Sequence, residues 1–367
     1  MNFGGNVMDN YETLRQILDK HPAGAPKSES FDEIMRLLFT PEEVEVACGM
    51  VFVPRSVPEI AKAVGLNEDE VIERGESMAN KGIVFGRKKE SQMEYALLPT
   101  IPGLFELPFM TGGGTPLHDR LGKLWMEYHH EAMGEEFGAS KTPLARVIPI
   151  EKTLDARVEV LPYEVVSRML DKVKTFGLAK CACRVSVGAC DKPRDVCLWF
   201  DRFAQFLIER KLAREITRQE AEEALRVAEE AGLVHTTNNS QDHLNFICNC
   251  CTCCCTVLRG LVQLKNPNAF AKSRWQAEVD ENVCVGCGVC EDDRCPIGAV
   301  HVVEDIARVD PDLCIGCGLC ATTCEVEAIS MVPREQASEP PATVSEMGLR
   351  VATEKGKLDD FLKLVKR

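Results

Sequence analysis

The chain of 367 residues has no apolar run approaching the ~20 residues that cross a bilayer, and Met1 to Arg15 carries no charged-then-apolar leader. These two absences exclude membrane insertion as an expectation and place the protein in the cytoplasm. No G-x-G-x-x-G and no phosphate loop occurs, so the chain offers no nucleotide or flavin fingerprint of its own. Gly112-Gly113-Gly114 lacks the strand and the Lys-Ser/Thr of a phosphate loop and reads as a flexible hinge. Cations are scarce in one stretch: from 278 to 332 twelve Asp or Glu face only Arg294 and Arg308, within a chain of net charge −14. Such a patch repels nucleic acid and anionic membranes and suits a partner with a basic docking surface, with steering that fades as salt rises. The alternative is an acidic surface that serves solubility alone.

What the sequence has in excess is cysteine, 19 residues. In a reducing compartment that number points to metal ligation over disulfides. Eight fall in two runs, Cys284-x2-Cys287-x2-Cys290-x4-Cys295-Pro296 and Cys314-x2-Cys317-x2-Cys320-x3-Cys324. Three Cys at two-residue intervals wrap one corner of an iron–sulfur cubane and a fourth arrives from elsewhere, so the runs predict two [4Fe-4S] clusters and one-electron chemistry. Zinc favours paired C-x2-C hooks over triple runs. The segment Val279 to Cys290 is echoed by Val309 to Cys320, an internal duplication. Glycines between the ligands let backbone N–H groups turn toward sulfur. Short strands are predicted at 300–303 and 329–332, with turns at 297–299 and 325–328.

From Glu278 to Val332 these motifs resemble bacterial ferredoxins with two [4Fe-4S] clusters. The resemblance implies a ferredoxin-like fold in which the fourth Cys of each run ligates the other cluster. The implied sets are Cys284, Cys287, Cys290, Cys324 and Cys314, Cys317, Cys320, Cys295. Two positions depart from the pattern: four residues precede Cys295 where three are usual, and Glu325 replaces a proline. The extra residue is expected to be absorbed as a bulge.

Toward the N-terminus, after a linker at 21–30, helices are predicted at 31–39 and 42–50. A third starts at the Ser56–Glu59 capping box, and a fourth spans 67–80 and stops at Lys81-Gly82. A hairpin follows, 83–87 with 93–97. Residues 31–99 thereby resemble winged helix-turn-helix domains. The helix that would enter a DNA groove carries Glu68, Asp69, Glu70, Glu73 and Glu76 against Arg74 and Lys81, which disfavours phosphate contact. Protein contact or internal packing is the expected use.

The middle is predicted as mainly helical, with helices at 116–133, 163–173, 198–211 and 218–231. His129 and His130 read as surface or rim residues, and lone Cys48 as a small core residue. The second cysteine-rich region has Cys181, Cys183, Cys190 and Cys197, then Cys248, Cys250, Cys251, Cys253, Cys254 and Cys255. Four thiolates of the first series can fold around one centre, completed or accompanied by ligands from the second. One or two further [4Fe-4S] clusters or a zinc site are open. Arg184 is placed to offset cluster charge, and His235 or His243 could add an imidazole. Adjacent cysteines somewhat resemble those of heterodisulfide-reductase-type subunits.

The sequence therefore predicts an α+β multidomain chain. Its parts are an arm and linker (1–30), a winged-helix-like domain (31–110), a helical Cys-rich domain (111–275), a dicluster ferredoxin-like module (276–335), and a linker with an amphipathic docking helix at 357–367. As a whole it resembles multidomain ferredoxin-like iron–sulfur proteins of anaerobes. The expected function is electron transfer to or from a cytoplasmic oxidoreductase, as a carrier or subunit. The alternatives are a redox-sensing winged-helix regulator and a Cys-dependent reductase of a disulfide or sulfur substrate. Oligomeric state is not set by these features.

Overall fold

The computed structural model describes residues 9–155 and 157–365. The first part runs α1 (Asn10–Asp19), α2 (Glu29–Leu38), α3 (Pro41–Ala47), β1 (Arg55–Ser56), α4 (Val57–Val64), α5 (Glu68–Lys81), β2 (Val84–Lys89) and β3 (Gln92–Leu97). Capping boxes start three of its helices, Thr40 with Glu43, Ser56 with Glu59 and Asn67 with Glu70. Each satisfies first-turn amides and contributes about 1 kcal/mol. α5 ends at Gly82, whose φ of +73° closes the helix in the left-handed region. The sheet order is β1-β3-β2. α2 to α5 and the hairpin fall where the sequence places them, whereas α1 lies in the stretch read as an arm.

The segment 21–30 is not a loose linker. Ala23 and Ala25 are fully buried, and three side chains grip the backbone around them. Thr100 Oγ1 donates to Gly24 O (2.7 Å), Arg15 Nη1 to Ala25 O (2.8 Å) and Tyr128 Oη to Pro26 O (3.0 Å). Residues 1–8 of the predicted arm lie outside the described residues.

α6 (Pro116–Tyr128) buries Leu121, Leu124, Trp125 and Tyr128, then passes through a widened turn at His129–Met133 into α7 (Gly134–Phe137). His129 is buried, 2% exposed, rather than on the rim. Burial pulls its pKa down to about 4, and the neutral ring is the form that fills this interior.

The middle has the expected excess of helix but also a sheet that the sequence reading did not predict. It is built on six antiparallel strands in the order β4-β8-β9-β6-β5-β7. In chain order these elements are β4 (Ala145–Val147), α8 (Val166–Leu170), β5 (Phe176–Lys180), α9 (Ala182–Val187), β6 (Asp195–Phe200), α10 (Asp201–Glu209), β7 (Arg214–Ile216), α11 (Arg218–Glu230), β8 (Val234–Asn238), β9 (Phe246–Cys250) and α12 (Thr256–Val262). The predicted helix at 198–211 thus begins as a strand. Leu198 and Phe200 pack into one core while Cys197 and Trp199 pack into another. A strand covered on both faces reads as an unbroken apolar run, which periodicity does not separate from a buried helix. The predicted 163–173 helix shrinks to α8 behind a short turn at Pro162–Glu164.

The hairpin of the first part rests on this middle. Phe85 of β2 meets Phe206 and Phe203 of α10 at ring-centroid distances of 4.9 and 5.7 Å, and Arg210 pairs with Glu76 at 2.6 Å. Burying Phe85 contributes about 2 kcal/mol.

Next come β10 (Trp275–Val279), β11 (Val300–Val303), β12 (Ile306–Val309) and β13 (Ile329–Pro333), paired β10 with β13 and β11 with β12. The tail forms α13 (Val344–Glu354), which the sequence reading missed, and α14 (Leu358–Val365). It folds back on the buried strap: Phe361 stands edge-on to His21, Lys355 Nζ donates to Pro22 O (2.9 Å), and Lys357 pairs with Asp19 (3.0 Å). Lys366 and Arg367 of the predicted helix lie outside the described residues. Among the described residues no helix is long and apolar enough to cross a membrane.

Candidate metal centres

The two C-terminal runs fold as copies. Cys284 N–H donates to Asp280 O (3.0 Å), and Cys314 N–H to Asp310 O (2.9 Å). Asp280 N–H reaches Ala328 O, and Asp310 N–H reaches Ala299 O, both at 2.8 Å. Cys295 Sγ accepts from Ala299 N–H (3.0 Å) and Cys324 Sγ from Ala328 N–H (3.2 Å), the same offset in each copy. Such bonds orient each sulfur and are the kind of outer contact that supports a metal ligand. The extra residue before Cys295 is taken up by a wide turn in which Cys295 N–H donates to Cys290 O (3.0 Å), whereas the second run uses a tight turn over 321–323. The added residue shifts no neighbour out of place.

Two cavities result. Cys284, Cys287, Cys290 and Cys324 line the first; Cys295, Cys314 and Cys317 line the second, and Cys320 touches both. Only glycine fits at two of the turns: a Cβ at Gly316 would collide with the Trp275 carbonyl and one at Gly286 with the Asp305 backbone. The copies differ in exposure. Cys287 is exposed, whereas Cys314, Cys317 and Cys320 are buried, because Ile150 N–H donates to Cys317 O (3.0 Å) and closes the second loop against the middle. Arg294 binds the module to the C-terminus of α11 through Glu229 O (3.0 Å) and Glu230 O (3.1 Å), a favourable site for a cation.

The central thiols do not divide along the sequence. Gly188 ends α9 in the left-handed region, the chain reverses, and Cys190 leaves its own series to join Cys251, Cys253 and Cys254. These four Sγ atoms all lie within 4.8 Å of one another. Cys190 to Cys251 is 3.9 Å, Cys190 to Cys254 is 3.8 Å and Cys253 to Cys254 is 3.8 Å. Four sulfurs about 2.3 Å from a single ion form a tetrahedron of edge about 3.8 Å. The quartet fits one tetrahedral ion; thiolates on four separate irons of a cubane stand further apart.

The other six thiols form a chain of neighbours in the order Cys181, Cys183, Cys255, Cys250, Cys248, Cys197. Cys181 and Cys255 are N-caps of α9 and α12. Cys248 and Cys250 share one face of β9, as alternation dictates. Asn249 faces the other side, where its Oδ1 bonds His235 Nδ1 and its Nδ2 donates to Val196 O (2.6 Å). His235 is therefore a sheet-bound ring held by Asn249, and His243 is exposed at the opposite end of β9. Cys48 stands apart, half-buried against the first core, its thiol directed to Asn10 O.

Arg184 lies between the two thiol groups with no exposed surface. Its Nη1 donates to Asn249 O (2.9 Å) and to Cys251 Sγ (3.7 Å), while Nε and Nη2 have no partner. Cys254 and Arg184 both favour the Cys251 thiolate against burial, bringing its pKa down to about 4. A buried guanidinium without a carboxylate needs negative charge nearby, and thiolates on a bound ion would supply it.

Comparison with known families yields one match: residues 307–330 fit a 4Fe-4S binding domain, covering the second run, Cys314 to Cys324. The region is thereby an iron–sulfur binding segment, the class of protein that this part of the fold defines. No curated protein and no solved structure matches the chain.

Proposed function

We propose that the chain is a multi-centre iron–sulfur electron-transfer protein. The observation that carries this reading is the pair of cavities, each lined by three Cys of one run and the last Cys of the other. Clusters bound there supply one-electron transfer. Cys284, Cys287, Cys290 and Cys324 hold the one near solvent, and Cys314, Cys317, Cys320 and Cys295 hold the one next to the middle. Cys190, Cys251, Cys253 and Cys254 hold a single ion, zinc by ligand set and closed geometry. Cys181, Cys183, Cys250 and Cys255 hold a third cluster. Support comes from their succession as neighbours outside the closed quartet and from the apolar cluster that joins Cys250 and Cys255 to Cys317, Ile315 and Leu319.

The partner is an oxidoreductase with a basic rim that meets the acidic surface around exposed Cys287. The first part of the chain has the helix and hairpin order of a winged helix, and its role is packing. Arg74 is paired with Glu45 and Glu70, Arg87 with Glu94, and Phe85 lies under α10. No unpaired cationic face stands on α5 to meet phosphates. Anaerobic protein reduced with dithionite should lose its visible absorption reversibly and give low-temperature EPR of interacting reduced clusters. A colourless protein with no EPR signal would end this reading.

A further inference from the structure

At the end of the six-stranded sheet opposite the thiols is a cleft of about 840 Å³, within the size range of small-molecule sites. None of the metal ligands above lines it. Phe200, Leu244, Tyr163 and Phe203 line it together with three cations, Arg146, Lys172 and Arg202. Arg146 is 5% exposed and has no carboxylate of its own. Nη2 donates to Tyr163 O (2.8 Å), and the nearby Glu164 is engaged by Arg274 and by Trp275 Nε1. The Nε of Arg146 is buried without a partner. Among the described residues Lys172 and Arg202 enter no ion pair.

α10 opens into the same cleft, and no side chain caps its first turn. Asp201 N–H is taken by Thr175 O (2.9 Å), and the amides that follow it at the start of this nine-residue helix attract anions. Asp201 at that turn adopts a φ of +49°, a strained conformation for a residue with a side chain. It turns its carboxylate back onto the Lys174 and Thr175 N–H groups at 2.8 and 3.2 Å. Asp242, the other acid on the wall, accepts from Val344 N–H (3.1 Å) and Ser240 Oγ (2.9 Å). Each acid is thus hydrogen-bonded within the protein through its Oδ1, whereas Arg146, Lys172 and Arg202 meet no carboxylate among the described residues.

We propose that this cleft binds an organic anion: a phosphate or carboxylate group held by Arg146, Arg202, Lys172 and the α10 N-terminus, on an aromatic body lying between Tyr163, Phe200 and Phe203. The site is coupled in space to the thiols. Cys197 and Cys248 are three residues along β6 and β9 from Phe200 and Asn245, about 10 Å of strand. Binding does not depend on how the metal sites are filled.

The test is titration of the anaerobically purified full chain with 1-naphthyl phosphate, read by fluorescence anisotropy, with inorganic phosphate and 1-naphthol as competitors. Saturable binding is expected, with both competitors much weaker. K172E/R202E, exposed changes that leave the core intact, should weaken binding at least tenfold, and R146Q by more. The iron content of each variant checks that the protein is folded. No saturable binding, equal competition by inorganic phosphate or by 1-naphthol, or unchanged affinity in K172E/R202E would overturn the proposal.

Discussion

Arg184 shows how much one side chain organises. It is wholly buried between two sets of thiols and meets no carboxylate, so the thiolates it faces must carry the compensating charge. Removing one partner of a buried charge pair costs about 3–5 kcal/mol. R184M is therefore expected to purify with less than half the central ion of the wild type, while the C-terminal iron is retained. Inductively coupled plasma analysis of zinc and iron in one sample checks this; zinc at the wild-type ratio would show that the guanidinium does not hold the site. That a cation stands beside these thiols was legible from the Cys183-Arg184 dipeptide. Its burial was not, because it arises from α9 and the Asn249 strand meeting across 65 residues of sequence. The regrouping of Cys190 was equally hidden, since spacing counts residues and a left-handed turn at Gly188 decides direction.

At the scale of elements, legibility followed periodicity. Capping boxes and amphipathic stripes gave α2 to α5 and α11, whose Thr217–Glu220 box is formed as expected, but not α1. The duplicated C-terminal loops were read from their repeat. The sheet of the middle was missed because β6 is covered on both faces and β8, Val-His-Thr-Thr-Asn, is buried throughout despite its polar residues. Those polar groups are satisfied across the sheet, as Thr237 Oγ1 donating to Phe246 O at 2.7 Å illustrates, and that pairing lies beyond local pattern.

The proposed crossed ligand sets have an element-scale test by iron counting. C284S/C324S removes two ligands from one cavity and should cost about four iron per chain, whereas C314S/C324S strikes both cavities and should cost about eight. The reverse order would mean that each run ligates its own cluster. Both results are read on anaerobic protein by colorimetric iron assay.

Over the whole molecule the proposed centres would follow one direction. The middle thiols adjoin the buried second loop, the second loop adjoins the first through Cys320, and the first loop reaches solvent at Cys287. The solvent end is also the acidic end, and Arg294, one of its two arginines, is turned inward to bind α11. The tail and the buried strap close the other side through Lys355, Lys357 and Phe361, so first part, middle and tail pack as a continuous support behind the relay. The most direct test of that relay is the ratio of iron, acid-labile sulfide and zinc per chain in anaerobically purified protein. The account predicts about twelve iron, a matching amount of sulfide and about one zinc. Iron and sulfide no higher than about eight would contradict it, because the middle would then carry no cluster and electron transfer would end at the C-terminal module.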